Sequence, residues 1–242
     1  MNRLRFLQYA LANPRKIRRE TAEQWLRLPG EHLEAAYAGD IDKMHRGLIR
    51  IGIKEKPPAD DAEQEFVNAL ISRIAGGCRY PEETGALLAV MLFCRGHLMP
   101  ARWYEGAAVP KWLYDDFLKL LIDPPELFCE IGEADRFCRY WEQAVTHFHT
   151  VAFGNQDDST RKYNAAFFAK NASFVHLYFA SQVNLKDVFT KQAELLEFHL
   201  ETLGSQLDYD FPERPSDRRK IRVGILNSHF TPARNPSHFA GL

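Results

Sequence analysis

Apolar side chains recur at three- and four-residue intervals through residues 1 to 205, and no alternating run interrupts them. A chain patterned this way can bury its apolar stripes only by laying helix on helix. The expected fold is therefore all-α, a multi-helix array or bundle over residues 1–204, with a sub-boundary near residues 55–61 where Pro57 and Pro58 fall. Residues 14–27 open on Pro14, carry Ile17, Trp25 and Leu26, and stop at Pro29-Gly30. After a short segment, Gly39-Asp40 breaks the chain and Asp40 is placed to cap the stretch bearing Ile41, Met44, Leu48, Ile49 and Ile51.

A second group begins with Phe66, Val67, Leu70, Ile71 and Ile74, and ends at Gly76-Gly77. Pro81-Glu82-Glu83 reads as a helix opening that leads into the apolar run Ala86 to Cys94, a buried helix. Residues 111–122 follow, ahead of Pro124-Pro125. In the third group, residues 133–152 carry an apolar stripe wide enough to pack on two sides. Residues 159–180 are rich in aromatics, and after Asn171 a strand competes with the helical reading. Residues 184–204 form a cleaner amphipathic helix, with Gly204 as its C-cap.

The pattern then changes. Residues 205–219, with Pro212 and Pro215, read as a linker. Lys220-Ile221-Arg222-Val223-Gly224-Ile225-Leu226 follows as a single orphan β-strand, the kind that opens an α/β domain, so residues 220–242 are expected to be the truncated start of one.

Composition closes off several classes. The chain has 242 residues, 31 Lys plus Arg against 32 Asp plus Glu, and a formal net charge of −1, which is not the footprint of a general nucleic-acid binder. Arg15, Lys16, Arg18 and Arg19 make one local basic cluster, read as a solvated helix face, with an anionic contact as the other reading. Charged residues interrupt any signal peptide at the N-terminus, and no apolar run reaches the roughly 18 residues of a membrane span. Cys78, Cys94, Cys129 and Cys138 form no CxxC pair and sit among apolar neighbours, which fits buried free thiols in a cytoplasmic protein.

Few constellations carry chemistry. GxGxxG, GxxxxGK[ST] and GxSxG are absent, so no cofactor is expected. His147 and His149 stand two apart, which on a helix turns their rings about 200° from one another and argues against a shared metal. Trp103 and Tyr104, with Trp112 beyond the Gly106–Pro110 stretch, form an aromatic cluster that could serve a peptide or partner surface or a helix–helix contact. His229 lies in the polar loop Asn227-Ser228-His229-Phe230-Thr231-Pro232 just after the strand, where sites of α/β domains sit.

Three stretches together resemble a known junction. They are Gln192-Ala193-Glu194-Leu195-Leu196-Glu197-Phe198-His199-Leu200, the linker Phe211-Pro212-Glu213-Arg214-Pro215-Ser216, and Lys220 to Pro232. The region is similar to the point where bacterial SPINDLY-like and HMW1C-like protein glycosyltransferases join an N-terminal helical region to two GT-B catalytic lobes. That resemblance implies transfer of a sugar from UDP-GlcNAc or a UDP-hexose to serine, threonine or asparagine side chains by the whole enzyme. It implies that Ile221 to Leu226 is the first strand of the acceptor-side lobe, and that His229 is a cleft residue near the acceptor. After Pro232 the sequence departs from the family, so the expectation is a non-catalytic helical portion for acceptor recognition or scaffolding. Its partner would be a protein or peptide acceptor, with nucleotide sugar engaged only through the missing lobes. The alternative is an independent helical protein-interaction module with no glycosyltransferase role.

Overall fold

The structure is a computed structural model that describes residues 12–50, 52–55, 58–125, 128, 130–172 and 181–207. Among these residues every regular element is helical. The chain divides into two units, Met1–Ser205 and Gln206–Leu242, and all the described helices lie in the first. The expected strand at 220–226, almost all of the linker, and His229 fall outside the described residues.

Helix α1 (Pro14–Arg27) starts where proline's missing N–H costs nothing and stops at Leu28, whose extended backbone precedes Pro29. It buries Ile17, Arg18, Thr21, Ala22 and Trp25, one continuous stripe. Helix α2 (Gly30–Ala36) runs through a π-helical turn, Tyr37–Ile41, into α3 (Asp42–Arg50). The break expected at Gly39-Asp40 is a kink, with Gly39 at φ −90° and ψ −116°. A 3₁₀ turn, Ile53–Glu55, follows.

Helix α4 (Asp61–Ile74) is capped by Asp60, whose carboxylate accepts the Glu63 N–H at 2.9 Å. The helix expected to open at Pro81 begins later. Residues 80–83 are turns, and α5 (Thr84–Val90) carries the apolar run, every residue of it buried. The Glu83 carboxylate accepts the Arg79 N–H at 2.8 Å and the Arg79 guanidinium at 2.6 Å, which ties up one of the two acids that would otherwise have favoured a first helical turn. Short 3₁₀ turns at Gly96–Leu98 and Lys111–Leu113 bracket an irregular stretch and lead into α6 (Tyr114–Ile122).

Helices α7 (Glu133–Phe153), α8 (Asp158–Asn171) and α9 (Lys186–Thr202) pack on one another, and α7 also meets α6 and the Gly96–Leu98 turn. The wide stripe on α7 thus has cover on two sides. Its rings interlock with α8, with Trp141 and Phe148 centred 6.2 Å and 5.2 Å from Phe168. Helix α9 ends in a Schellman motif. Gly204, at φ +75°, donates to Glu201 O at 2.9 Å, and Ser205 donates to Leu200 O at 3.0 Å. On the other side, α5 packs against α1, α2 and α4. Both groups share one hydrophobic core.

Candidate functional site

On α6 the polar residues Asp116 and Lys119, and Asp123 just past its end, are spaced three and four apart. That places them along one side of a helix that is otherwise mostly apolar. Facing them, α3 contributes Arg46 and Ile49, and the Ile53–Glu55 turn contributes Lys54. Met91, Leu120, Ile122 and Pro124 supply apolar wall, and Asn171 at the end of α8 closes one rim. The cavity so formed has a volume of about 340 Å³.

Two carboxylates anchor it. Asp116 is 6% exposed and accepts the Tyr37 hydroxyl at 2.5 Å, with the Arg46 guanidinium at 3.3 Å from the same oxygen. The Tyr37 hydroxyl also lies 3.3 Å from His45 Nδ1. Trp25 packs edge-on against the His45 ring at 5.1 Å, and Trp112 packs on Tyr37 at 4.7 Å. Burial pushes the His45 imidazole down to about 4, with the Asp116 charge opposing that effect, so this histidine is neutral at neutral pH. Asp123 bonds the Lys54 ammonium and lies 3.1 Å from Arg95, which also donates to the Pro124 carbonyl. Lys119, by contrast, is exposed and makes no ion pair among the described residues. The lining therefore carries three cations against two carboxylates. Its described side chains include no serine, threonine, cysteine or histidine to act as a nucleophile.

The aromatic cluster, open to a partner-surface and to a helix–helix reading, divides between the core and its edge. Trp103 is fully buried, donates its indole N–H to Gly96 O at 3.2 Å and meets Phe117 edge-on at 5.6 Å. Tyr104 is 3% exposed, with its ring 4.9 Å from His147. The partner-surface reading is corrected for these two, because rings this enclosed are core and offer no face to a peptide. Trp112 is half-buried beside Tyr37.

His147 and His149 point to different neighbours. His147 turns into the Tyr104 contact, where burial lowers its pKa, whereas His149 Nε2 lies 2.6 Å from Glu194 on α9. No group of three metal-ligating side chains occurs among the described residues. Cys78, Cys94 and Cys138 are free and buried, and burial drives the Cys78 and Cys94 thiols up to about 12, while Cys129 lies outside the described residues.

The basic cluster also needs correction at one member. Arg15 and Lys16 are exposed, and Arg19 pairs with Glu23 at 2.6 Å while covering the Phe66 ring at 3.6 Å. Arg18 is wholly inside, against Glu63. Sequence reasoning missed Tyr37, His45, Arg46, Lys54, Asp116, Lys119 and Asp123. The one signal available was the polar side of the 111–122 segment.

The described residues define an all-helical unit with a charged cleft, and none of their helices is long and apolar enough to cross a membrane. Comparison with protein-family models, with curated proteins and with solved structures finds no match.

Proposed function

We propose that this chain is the helical, non-catalytic portion of a nucleotide-sugar-dependent protein glycosyltransferase, where it recognises the protein acceptor. The observation that carries the reading is the similarity of residues 192–232 to the SPINDLY-like and HMW1C-like junction. Two features support it. The run Gln192 to Leu200 lies within the last described helix, and Gly204 terminates that helix just ahead of the linker. Along the C-terminal half of α9 and its C-cap, Leu196, Leu200 and Leu203 are 38%, 41% and 67% exposed and fall four and three apart, an apolar stripe that suits a helix covered by further protein.

Calorimetric titration of the full chain tests the proposal, using an unstructured acceptor polypeptide rich in serine, threonine and asparagine and, separately, UDP-GlcNAc and UDP-glucose. The expected result is binding of the polypeptide at roughly micromolar affinity with no measurable heat from either nucleotide sugar. Failure to bind the polypeptide would overturn acceptor recognition and favour an interaction module of another kind. Saturable donor binding would overturn the non-catalytic assignment.

A further inference from the structure

We infer that the outer face of α9 docks an amphipathic helix of another protein, one that carries lysine or arginine beside its apolar seam. The inference uses only the residues of α9 and its C-cap, and so stands apart from the glycosyltransferase reading.

Spacing is the first consideration. Val188, Gln192 and Leu195 turn inward, and α9 is packed on α7 and α8. Ala193, Leu196, Leu200 and Leu203 are exposed and follow one another at three, four and three residues. Single exposed leucines are ordinary, but a row at this spacing is the seam along which one helix lies on another. The row stands on a helix already braced from behind, so little ordering is required of it when a partner packs.

Charge is the second consideration. Glu197 and Glu201 follow Leu196 and Leu200 by one residue each, so an acidic row runs about 100° round the helix from the leucine row. Both are exposed and make no ion pair among the described residues, while Glu194 is held by His149. Residues 192–207 contain no lysine or arginine to offset them. On the packed side, Lys191 bonds Thr146, and Arg161 donates to the Ala152 carbonyl and lies over the Phe198 ring. Glu201 also stands in the last turn of α9, where the helix dipole disfavours an anion. A cation brought from outside would pair the row and relieve that cost. Basic flanks on the partner follow, and a second copy of this chain does not fit, because its own stripe brings further glutamates and no lysine or arginine.

The test is calorimetric titration of the full chain with a synthetic peptide of about three heptads, with leucine at the seam positions, lysine beside them and alanine elsewhere. The peptide holds no serine, threonine or asparagine, so its binding is independent of acceptor recognition. One control has glutamate in place of each lysine, and a second has the first peptide's composition with the leucines out of seam order. The lysine peptide should bind saturably at one site per chain, with a Kd on the order of 10 μM, and each control at least roughly tenfold more weakly. Leu200→Gln should weaken it by roughly tenfold while leaving the ligand-free thermal midpoint in place. Glu197→Lys with Glu201→Lys should weaken the lysine peptide as much and strengthen binding of the glutamate peptide. Glu31→Lys with Glu34→Lys, the same change of charge at exposed positions of α2, should alter neither. The inference is overturned by no saturable binding at roughly 100 μM peptide, by equal binding of the out-of-order peptide, or by equal losses in the two charge-reversed variants. It is overturned as well if sedimentation of the free chain shows a dimer that Leu200→Gln dissociates, since the stripe would then be the chain's own interface.

Discussion

Arg18 stands on the inner side of α1, and its guanidinium donates to both oxygens of Glu63, at 3.0 Å and 2.8 Å, and to Ile53 O at 3.3 Å. The Phe93 ring lies 4.9 Å from it. Glu63 also accepts the Ala59 N–H at 2.6 Å, so the pair joins α1, the Ile53–Glu55 turn and the start of α4. A buried ion pair of this kind is costly to halve and cheap to replace whole. Arg18→Met alone should therefore cost about 3–5 kcal/mol in urea unfolding by stranding Glu63, whereas Arg18→Met with Glu63→Leu should recover most of it. An equal loss in the single and double variants would contradict that account. Four basic residues on one helical turn look solvated when read locally, and the partner that draws Arg18 inward is 45 positions away. The same distance effect hid the cleft, because Tyr37, Lys54 and Asp116 carry no local mark of their meeting. Trp103 and Tyr104 misled for the opposite reason, since an aromatic pair reads alike whether it faces a partner or its own core.

At the scale of elements, the boundaries that follow from backbone chemistry were the legible ones. Pro14 and the Pro29-Gly30 stop bracket α1, and Gly204 ends α9 because only glycine readily adopts φ +75° there. The start of α5 was not legible, because it depends on how Arg79 and Glu83 pair across a turn. The contact of α1 with α5 needs a small residue. A Cβ on Gly85 would lie 2.9 Å from Trp25 O, closer than real carbon atoms approach. Alanine ordinarily favours a helix over glycine, yet here Gly85→Ala should destabilise by about 1–3 kcal/mol through overpacking. Gly76→Ala, where no atom lies within 4 Å, is the matched control and should be close to neutral. Urea midpoints for the two variants decide the matter, and a stabilised Gly85→Ala would mean that the two helices are free to separate.

For the molecule as a whole, the predominance of helix was readable from the period of its apolar residues, and acid sensitivity follows from what the fold encloses. Burial lowers the pKa of His45 and of His97 to about 4, and that of His147 in the same direction. Unfolded, these rings take up protons near pH 6.5. Between about pH 6.5 and 4 the unfolded chain consequently binds more protons, so this contribution to stability is complete above that window and is lost as pH falls through it. The free energy of unfolding should drop across the window by up to ~1.4 kcal/mol per pH unit for each such histidine, and His45→Gln should flatten the slope. Denaturant titrations at several pH values would reveal it, and a stability that holds level from pH 7 to 4.5 would refute it.

The placing of the four tryptophans has an optical consequence. Trp25, Trp103 and Trp141 are fully enclosed, while Trp112 is only partly buried and packs at a tilt against Tyr37, whose hydroxyl holds the cleft residue Asp116. Intrinsic fluorescence of the folded protein is thus divided between three emitters shielded from an aqueous quencher and one that is within its reach. The quenchable fraction of the light comes from beside the cleft, so the molecule carries its own reporter of what happens there without a label.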